Sequence, residues 1–519
     1  MIRAVGLENV RLFEGTGWNF ELSPLTVFCG VNSAGKSTLL KSLLLLRQSQ
    51  KAGDFRLAGG QVDFGDYRSF VSHHEVDQDA SISITTDIGV TPGDIEFLRG
   101  LQRRAAPRKA ASTERNIMRP ARLSSRFVFS SQMTGARHRH GPAQQPDASG
   151  VSAGLKAAEF DVTAEEETLL SWKVERAITP NVDTFYEIVL PAAYFRRVGG
   201  FKFMEVEETN HCVRSPVVMD GLIPETIIAR PKTNPATGDQ PAQWTPFPMP
   251  PVIQRALWSL GKTLTQISYL GPLRSPAKRF YVAHLEADEE LDATGELLPY
   301  ILRDRGDRKV VNVPRGLREA VPPVALSEAL NQWLYYLRTG EQPRERSSDH
   351  EILLDTTKQV LVQINIKGIT GGDAYAIADS GFGYSQVLPI LVRGLLAPPD
   401  STLIVEQPEL HLNPALQVRL AEFFISMVRA GKQVLLETHS EHLVNAIRVL
   451  SAEDESTGLN DKCRIYFLDA EPGRPVVHTL SIRPDGTVPE WPKHFFGEAI
   501  TLSGRLLRAQ KRFRKSGAE

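Results

Sequence analysis

Three short stretches hold residues whose types and spacing could do chemistry on a phosphate. "GVNSAGKST", residues 30–38, fits the pattern G-x-x-x-x-G-K-[ST]. In such a loop Gly30 and Gly35 let the backbone curl, so that N–H groups along Asn32, Ser33 and Ala34 point at phosphate oxygens. Lys36 brings a cation to the β- and γ-phosphates of ATP, and Ser37, followed by Thr38, a hydroxyl for Mg²⁺. "STLIVEQPELHLNP", 401–414, runs from apolar residues into Glu406, the distant acid that a phosphate loop needs to complete a Mg²⁺ site. "KQVLLETHSEHLVNAIRVL", 432–450, carries a second apolar run, 434–437, into Thr438-His439-Ser440. A histidine just past the C-terminal end of a parallel strand stands where open α/β sheets bind ligands. From there it reaches a γ-phosphate or an attacking water. A metal site at Glu437, Glu441 and His442 is the weaker alternative, because no further ligands with suitable spacing accompany them.

These residues need particular elements to hold them. A buried strand, 25–29, precedes the loop, and a Leu-rich stretch without Gly or Pro follows Lys36, as a helix requires. Upstream of the acidic strand lies "IADSGFGYSQVLPILVRGLL", 377–396. There Ser380, Gly381 and Gly383 form a small-residue turn, and Ser385-Gln386 open a helix, an arrangement suited to anions.

The 519 residues suffice for two or three domains. A net charge of −1 names no partner, and three cysteines without a CxxC pair argue against a disulfide framework or a Cys-based zinc site. No apolar run approaches the roughly 20 residues of a membrane span, and the N-terminus lacks signal-peptide features. The expectation is a cytoplasmic protein without a membrane partner.

Residues 51–98 read as strand-rich, with "SISITTDI" (81–88) alternating. Between 99 and 140, eleven Arg and Lys face one acid, Glu114, and the region to about 155 reads as a flexible basic insertion. A sharper reading makes it an arm for DNA. Strands are expected over 156–230, a Pro-rich linker over 233–251, and helices over 252–266 and 325–338. An α/β segment returns over 352–470, followed by short strands and a basic helix over 498–515.

The order phosphate loop, Ser/Gly turn with helix, acidic strand and histidine strand resembles ABC-type ATPases. "GVNSAGKSTLLKSLLLLRQ", "SGFGYSQVLPIL", "VEQPELHLNP" and "ETHSEHLVNAIR" are similar to the SMC/RecF-like and overcoming-lysogenisation-defect-like branch of bacterial AAA-family ATPases. "ISYLGPLRSPAKRFY" (267–281) matches loosely, and "PDGTVPEWPKHFFGEA" (484–499) resembles the domain of unknown function 3696. The resemblance implies an α/β fold: a P-loop NTPase head of ABC type with a large mixed, strand-rich insertion. The head halves would be 1–50 and 351–470, the insertion 51–350, and the tail 471–519. It implies ATP and Mg²⁺ held by Gly30 to Thr38, Glu406 as the magnesium-associated acid, and His439 as the switch histidine. Ser380, Gly381, Gly383, Ser385 and Gln386 would form a signature segment that reaches a second copy, in a homodimer or higher homo-oligomer.

One departure bears on rate. Gln407 occupies the place of the usual catalytic glutamate, and an amide cannot take a proton from water. Glu409 is the remaining candidate base, with helix capping as its alternative role. No Asp-x-Asp follows residue 443, so any nuclease chemistry would belong to a partner effector. The expected function is a slowly hydrolysing ATPase switch in anti-phage defence or DNA maintenance, and the alternative is a non-hydrolysing ATP-dependent DNA- or protein-binding module.

Overall fold

The computed structural model describes residues 1–102, 121–132, 151–177, 186–197, 204–205, 207–209, 211–231, 245–282, 292–341, 352–357, 361–366, 373–379, 383–454, 457–471, 474–492, 505–508 and 510. Its centre is a six-stranded sheet built from β1 (Leu25–Gly30), β2 (Ile267–Leu270), β3 (Thr402–Glu406), β4 (Gln433–Glu437), β5 (Cys463–Glu471) and β6 (Arg474–Leu480). The spatial order is β2-β3-β4-β1-β5-β6. All neighbours run parallel except β5 and β6.

Each parallel strand is apolar at successive positions because both of its faces are covered. Phe28, Tyr269, Ile404, Leu435 and Tyr466 point to one core, shared with helix α1 (Lys36–Ala52) and a large antiparallel sheet. Val27, Leu403, Val405, Val434 and Leu436 point to the other. That second core is closed by α2 (Leu326–Thr339), α3 (Tyr384–Leu396), α4 (Pro414–Arg429) and α5 (Glu441–Glu453). Local sequence sets the helix starts. Asn413 accepts a hydrogen bond from the Leu416 amide with Pro414 in the first turn, and Ser440 accepts one from the Leu443 amide.

The antiparallel sheet has twelve strands. Its path begins at Trp18–Glu21 and Ile2–Glu8, continues through Ala80–Asp87, Arg122–Gln132, Ser152–Ala164 and Glu167–Arg176, and ends at Thr245–Pro248. Both sheets draw strands from 51–350 as well as from outside that range. The first strands pair with those of the expected insertion, and β2, at 267–270, is an edge of the parallel sheet.

Two other expectations change. Over 51–98 only Ala80–Asp87 forms a strand, while Tyr67–Phe70 and Pro92–Gln102 are helical. Asp66 caps the first of these helices through the Ser69 amide, and Pro92 opens the second. Within the basic region Arg122–Gln132 is a strand, since Leu123, Phe127 and Phe129 alternate into the core. Its Arg126 is neutralised by Glu8 at 2.5 Å and Glu159 at 3.2 Å. Residues 103–120, 133–150, 232–244 and most of 493–519 lie outside the described residues, so the expected arm, linker and basic tail helix are largely not described. Among the described residues no helix is long and apolar enough to cross a membrane.

One buried cation ties the α-helical face together. Lys432 is fully buried, and its Nζ donates to Gly394 O (2.8 Å), Leu395 O (3.2 Å) and Val311 O (3.4 Å). Two of these carbonyls belong to the last turn of α3, where helical partners run out. Burial pulls the amine down to about 7. Lys432→Met is expected to destabilise the fold by about 1–3 kcal/mol, the cost of leaving buried acceptors unpaired. Because the folded pKa of about 7 lies below the ordinary 10.5, the unfolded chain binds the extra proton between those values. The gap between wild type and variant in urea denaturation should therefore widen from pH 7 to pH 9.

Candidate functional site

Three adjacent parallel strands, β3, β4 and β1, end at one edge of the sheet, and the candidate residues sit there. β1 leads into the loop at Gly30, whose φ is +123°. A Cβ at that position would lie 2.0 Å from Leu468 O of β5, so only glycine fits. Gly35, at φ +95°, caps α1, and a Cβ there would meet the Phe13 ring at 2.8 Å. Asn32 and Ser33 are exposed at the rim, whereas Ala34, Lys36 and Thr38 are buried. Lys36 closes the loop on itself, with Nζ donating to Val31 O at 2.6 Å and Gly30 O at 3.2 Å. Burial lowers its pKa, and nearby Glu437 opposes that shift.

The strand order decides which acid meets the loop. β4 lies directly beside β1, and β3 lies one strand farther out. Ser37 Oγ donates to Glu437, at 2.9 Å from Oε1 and 2.8 Å from Oε2. Glu406 pairs in register with Glu437, so both carboxylates point to the same face. Glu406 is only 3% exposed and accepts from Tyr269 Oη at 3.1 Å. Burial first, and the charge of Glu437 second, push its pKa up to about 7. Glu437 is also raised by burial, with Ser37, Lys36 and Lys41 pulling it back.

Gln407 follows at φ +44°, the left-handed region that most side chains avoid. Its amide donates to Glu437 O at 2.7 Å, which holds the turn after β3 against the end of β4. Glu409 turns inward. Its Oε1 accepts from the His439 amide at 2.6 Å, and its Oε2 accepts from Thr438 Oγ1 at 2.8 Å. It thus holds the turn after β4, while the helix cap considered for it is supplied by Asn413. His439 lies exposed on that turn. Burial and then Lys36 lower its pKa, and Glu409 acts the other way.

Of the expected signature residues, Gly383, Ser385 and Gln386 open α3, while Ser380 and Gly381 lie outside the described residues. Gly383 packs against the turn after β3, because a Cβ there would lie 2.9 Å from Leu412. In the weaker metal alternative, Glu441 instead accepts from Asn445 within α5, at 3.4 Å.

Three site residues escaped assignment from sequence: Glu437 was weighed only in that alternative, and Tyr269 and Arg274 lie in the loosely matching stretch 267–281. Their signal was chemical type, an acid, a phenol and a cation near strand ends; only pairing shows what each touches. The oxygen donors of Ser37, Glu406 and Glu437 form a hard set that suits Mg²⁺.

Residues 366–445 match the family described as "AAA domain, putative AbiEii toxin, Type IV TA system", and residues 460–505 match "Protein of unknown function (DUF3696)". The chain is similar to ABC-type ATPases of the AAA family with a DUF3696 segment. The matched AAA region spans α3, β3, α4, β4 and the start of α5, which present the acids and the histidine. No curated protein matches the chain in sequence. Among solved structures, an SMC head bound to the C-terminal winged-helix domain of ScpA is 12% identical, with 93% of this chain and 98% of that one covered and a TM-score of 0.37. The SMC head domain from Thermotoga maritima is 8% identical, with 92% and 98% covered and a TM-score of 0.34. Likeness at such scores carries no argument about function.

The pair Glu406 and Glu437 makes a pH prediction. A folded pKa near 7 against the ordinary 4.5 means that stability from protonated Glu406 is present below pH 4.5 and lost as pH rises through about 7. Glu406→Gln should therefore match wild type near pH 5 and exceed it by about 1–3 kcal/mol at pH 8, in urea denaturation without nucleotide or metal. An equal difference at both pH values would show that Glu406 carries no such burden.

Proposed function

We propose that this AAA-type chain binds ATP and hydrolyses it slowly, using the nucleotide as a conformational switch between copies of itself. The observation that carries the reading is the convergence of Lys36 and Ser37, Glu406 and Glu437, and His439 at the ends of three neighbouring parallel strands. In it the loop amides and Lys36 hold the β- and γ-phosphates. Lys36 leaves the Val31 and Gly30 carbonyls to do so, exchanging two neutral acceptors for charged ones. Ser37, Glu406 and Glu437 would hold Mg²⁺, which supplies neutralisation of the charge that gathers on the transferring phosphoryl group. Glu437 keeps the Ser37 hydroxyl proton turned toward itself, leaving the oxygen lone pairs free for the cation.

Slow turnover follows from what stands where a base would act. Gln407 offers an amide, and Glu409 is committed to Thr438 and the His439 amide. Those same bonds favour a second reading, a module that binds ATP without hydrolysis and works by clamping DNA or protein. The DNA arm gains little from the described part of the basic region, where Arg99 and Arg126 are already paired with acids. Head-to-tail pairing through the segment of Gly383, Ser385 and Gln386 is part of the proposal, as is a separate effector protein. A biological role in anti-phage defence or DNA maintenance is also part of the proposal.

Steady-state ATP turnover with Mg²⁺ tests the site. Lys36→Ala should weaken nucleotide binding, and Glu406→Ala and Glu437→Gln should each lower kcat by about 100-fold or more. Glu409→Gln should keep nucleotide affinity and lower kcat by less. Unchanged hydrolysis in all four variants would refute the site, and tight ATP binding with no wild-type turnover would favour the clamp.

A further inference from the structure

The loop after β2, residues 271–282, carries a buried cation that the switch mechanism has not used. Arg274 is 7% exposed. Its Nη2 donates to Glu406 O at 3.0 Å, and its Nη1 reaches Gln407 O and Gln386 Oε1, each at 3.4 Å. One planar guanidinium therefore holds both carbonyls at the end of β3 and the side chain that opens α3. Its Nε is buried without a hydrogen-bond partner, so the fork is seated for these contacts at a cost to its own solvation. Burial lowers the pKa to about 10, and Glu409 supports the charge.

The loop is itself clasped to the far end of the same helix. Gly271 donates to Ala293 O at 2.8 Å, and Ser275 donates to Thr294 O at 3.0 Å. Asp292 accepts from the Gly295 and Leu297 amides, each at 2.8 Å, and its carbonyl accepts from Arg393 of α3 at 2.5 Å. Gly295 lies so close to Pro389 of α3 that a Cβ would sit 2.6 Å away. On the other side, Gly383 abuts Leu412 of the turn after β3. The contacts close a ring: β3 turn, Arg274, start of α3, body of α3, the 292–297 turn, and back to the loop of Arg274.

We propose that Arg274 is a positioning residue that makes the turn after Glu406 and the first turn of α3 move as one body. It touches neither phosphate loop nor Ser37, so it is not a catalytic residue. Resting on the ATP-switch reading, the inference names how the state of the nucleotide site reaches the surface that would face a second copy. A lysine at 274 could not reproduce the link, since a point charge cannot hold acceptors on two elements in one plane.

The test uses the full chain, with Arg274→Met, Gln386→Leu and the double variant. Affinity for a fluorescent ATP analogue should stay within about twofold of wild type, while kcat falls about tenfold or more and ATP-dependent self-association is lost. In hydrogen exchange the double variant should show no more loss of protection over 384–388 than Arg274→Met alone, because both changes cut one link. Hydrogen exchange gives a readout independent of ATP: amides of 384–388 and 409–412 should speed up together in Gln386→Leu, which keeps the carbonyl bonds of Arg274. Additive losses of exchange protection over 384–388, a parallel fall in ATP affinity, or unchanged exchange in Gln386→Leu would each overturn the coupling. Failure of the wild type to bind ATP would sink the switch reading, and the exchange experiment would still decide the mechanical link.

Discussion

Everything in the site depends on the in-register parallel pairing of β3, β4 and β1. Parallel strands in register end together, and register partners point their side chains to one face. That pairing sets Glu406 beside Glu437 and sets the end of β4 beside the strand that launches the phosphate loop. A shift of one residue would turn one carboxylate to the opposite core, among the leucines and phenylalanines of the α-helical layer. Both faces of these strands are packed, so such a slip also mismatches side-chain volumes in each core, at about 1–3 kcal/mol for an overpacked position.

Placing two carboxylates, a lysine and a histidine at one buried edge creates a charge problem. The molecule answers it locally. Tyr269 supports Glu406, Ser37 supports Glu437, and loop carbonyls hold Lys36. Glu409 spends both oxygens on the turn that carries His439. Glu406, Glu437 and Lys36 are thus each held by hydrogen bonds to neutral partners, which a fully charged partner can displace. Arg274 stands apart, because its bonds go to structural carbonyls and to α3.

The antiparallel sheet is not an appendage to this centre. Its first strands precede the phosphate loop in the chain, and its core includes Phe28, Ile404 and Leu435 from the parallel sheet. Phe13, from the turn between those first strands, packs under Gly35. Phe13 and the shared core thus tie the loop to a sheet that extends to residue 248.

Short-range chemistry was legible in the sequence. The glycines, lysine and hydroxyl of residues 30–38 and the apolar runs ending in Glu406 and Glu437 all act within a few residues. Their spacing therefore predicts the strand, loop and helix that the structure contains. Composition misled where an alternating strand lay inside a basic stretch, because charge is conspicuous and a period of two is not. What only the tertiary structure decided was strand order. Sequence separation does not say that β4 sits between β3 and β1, and so it could not say that Ser37 meets Glu437 before Glu406. Nor could it bring Arg274 to Gln386, 112 residues away, or turn Glu409 toward His439, 30 residues on. Those contacts follow from long-range pairing and packing, which local propensity does not encode.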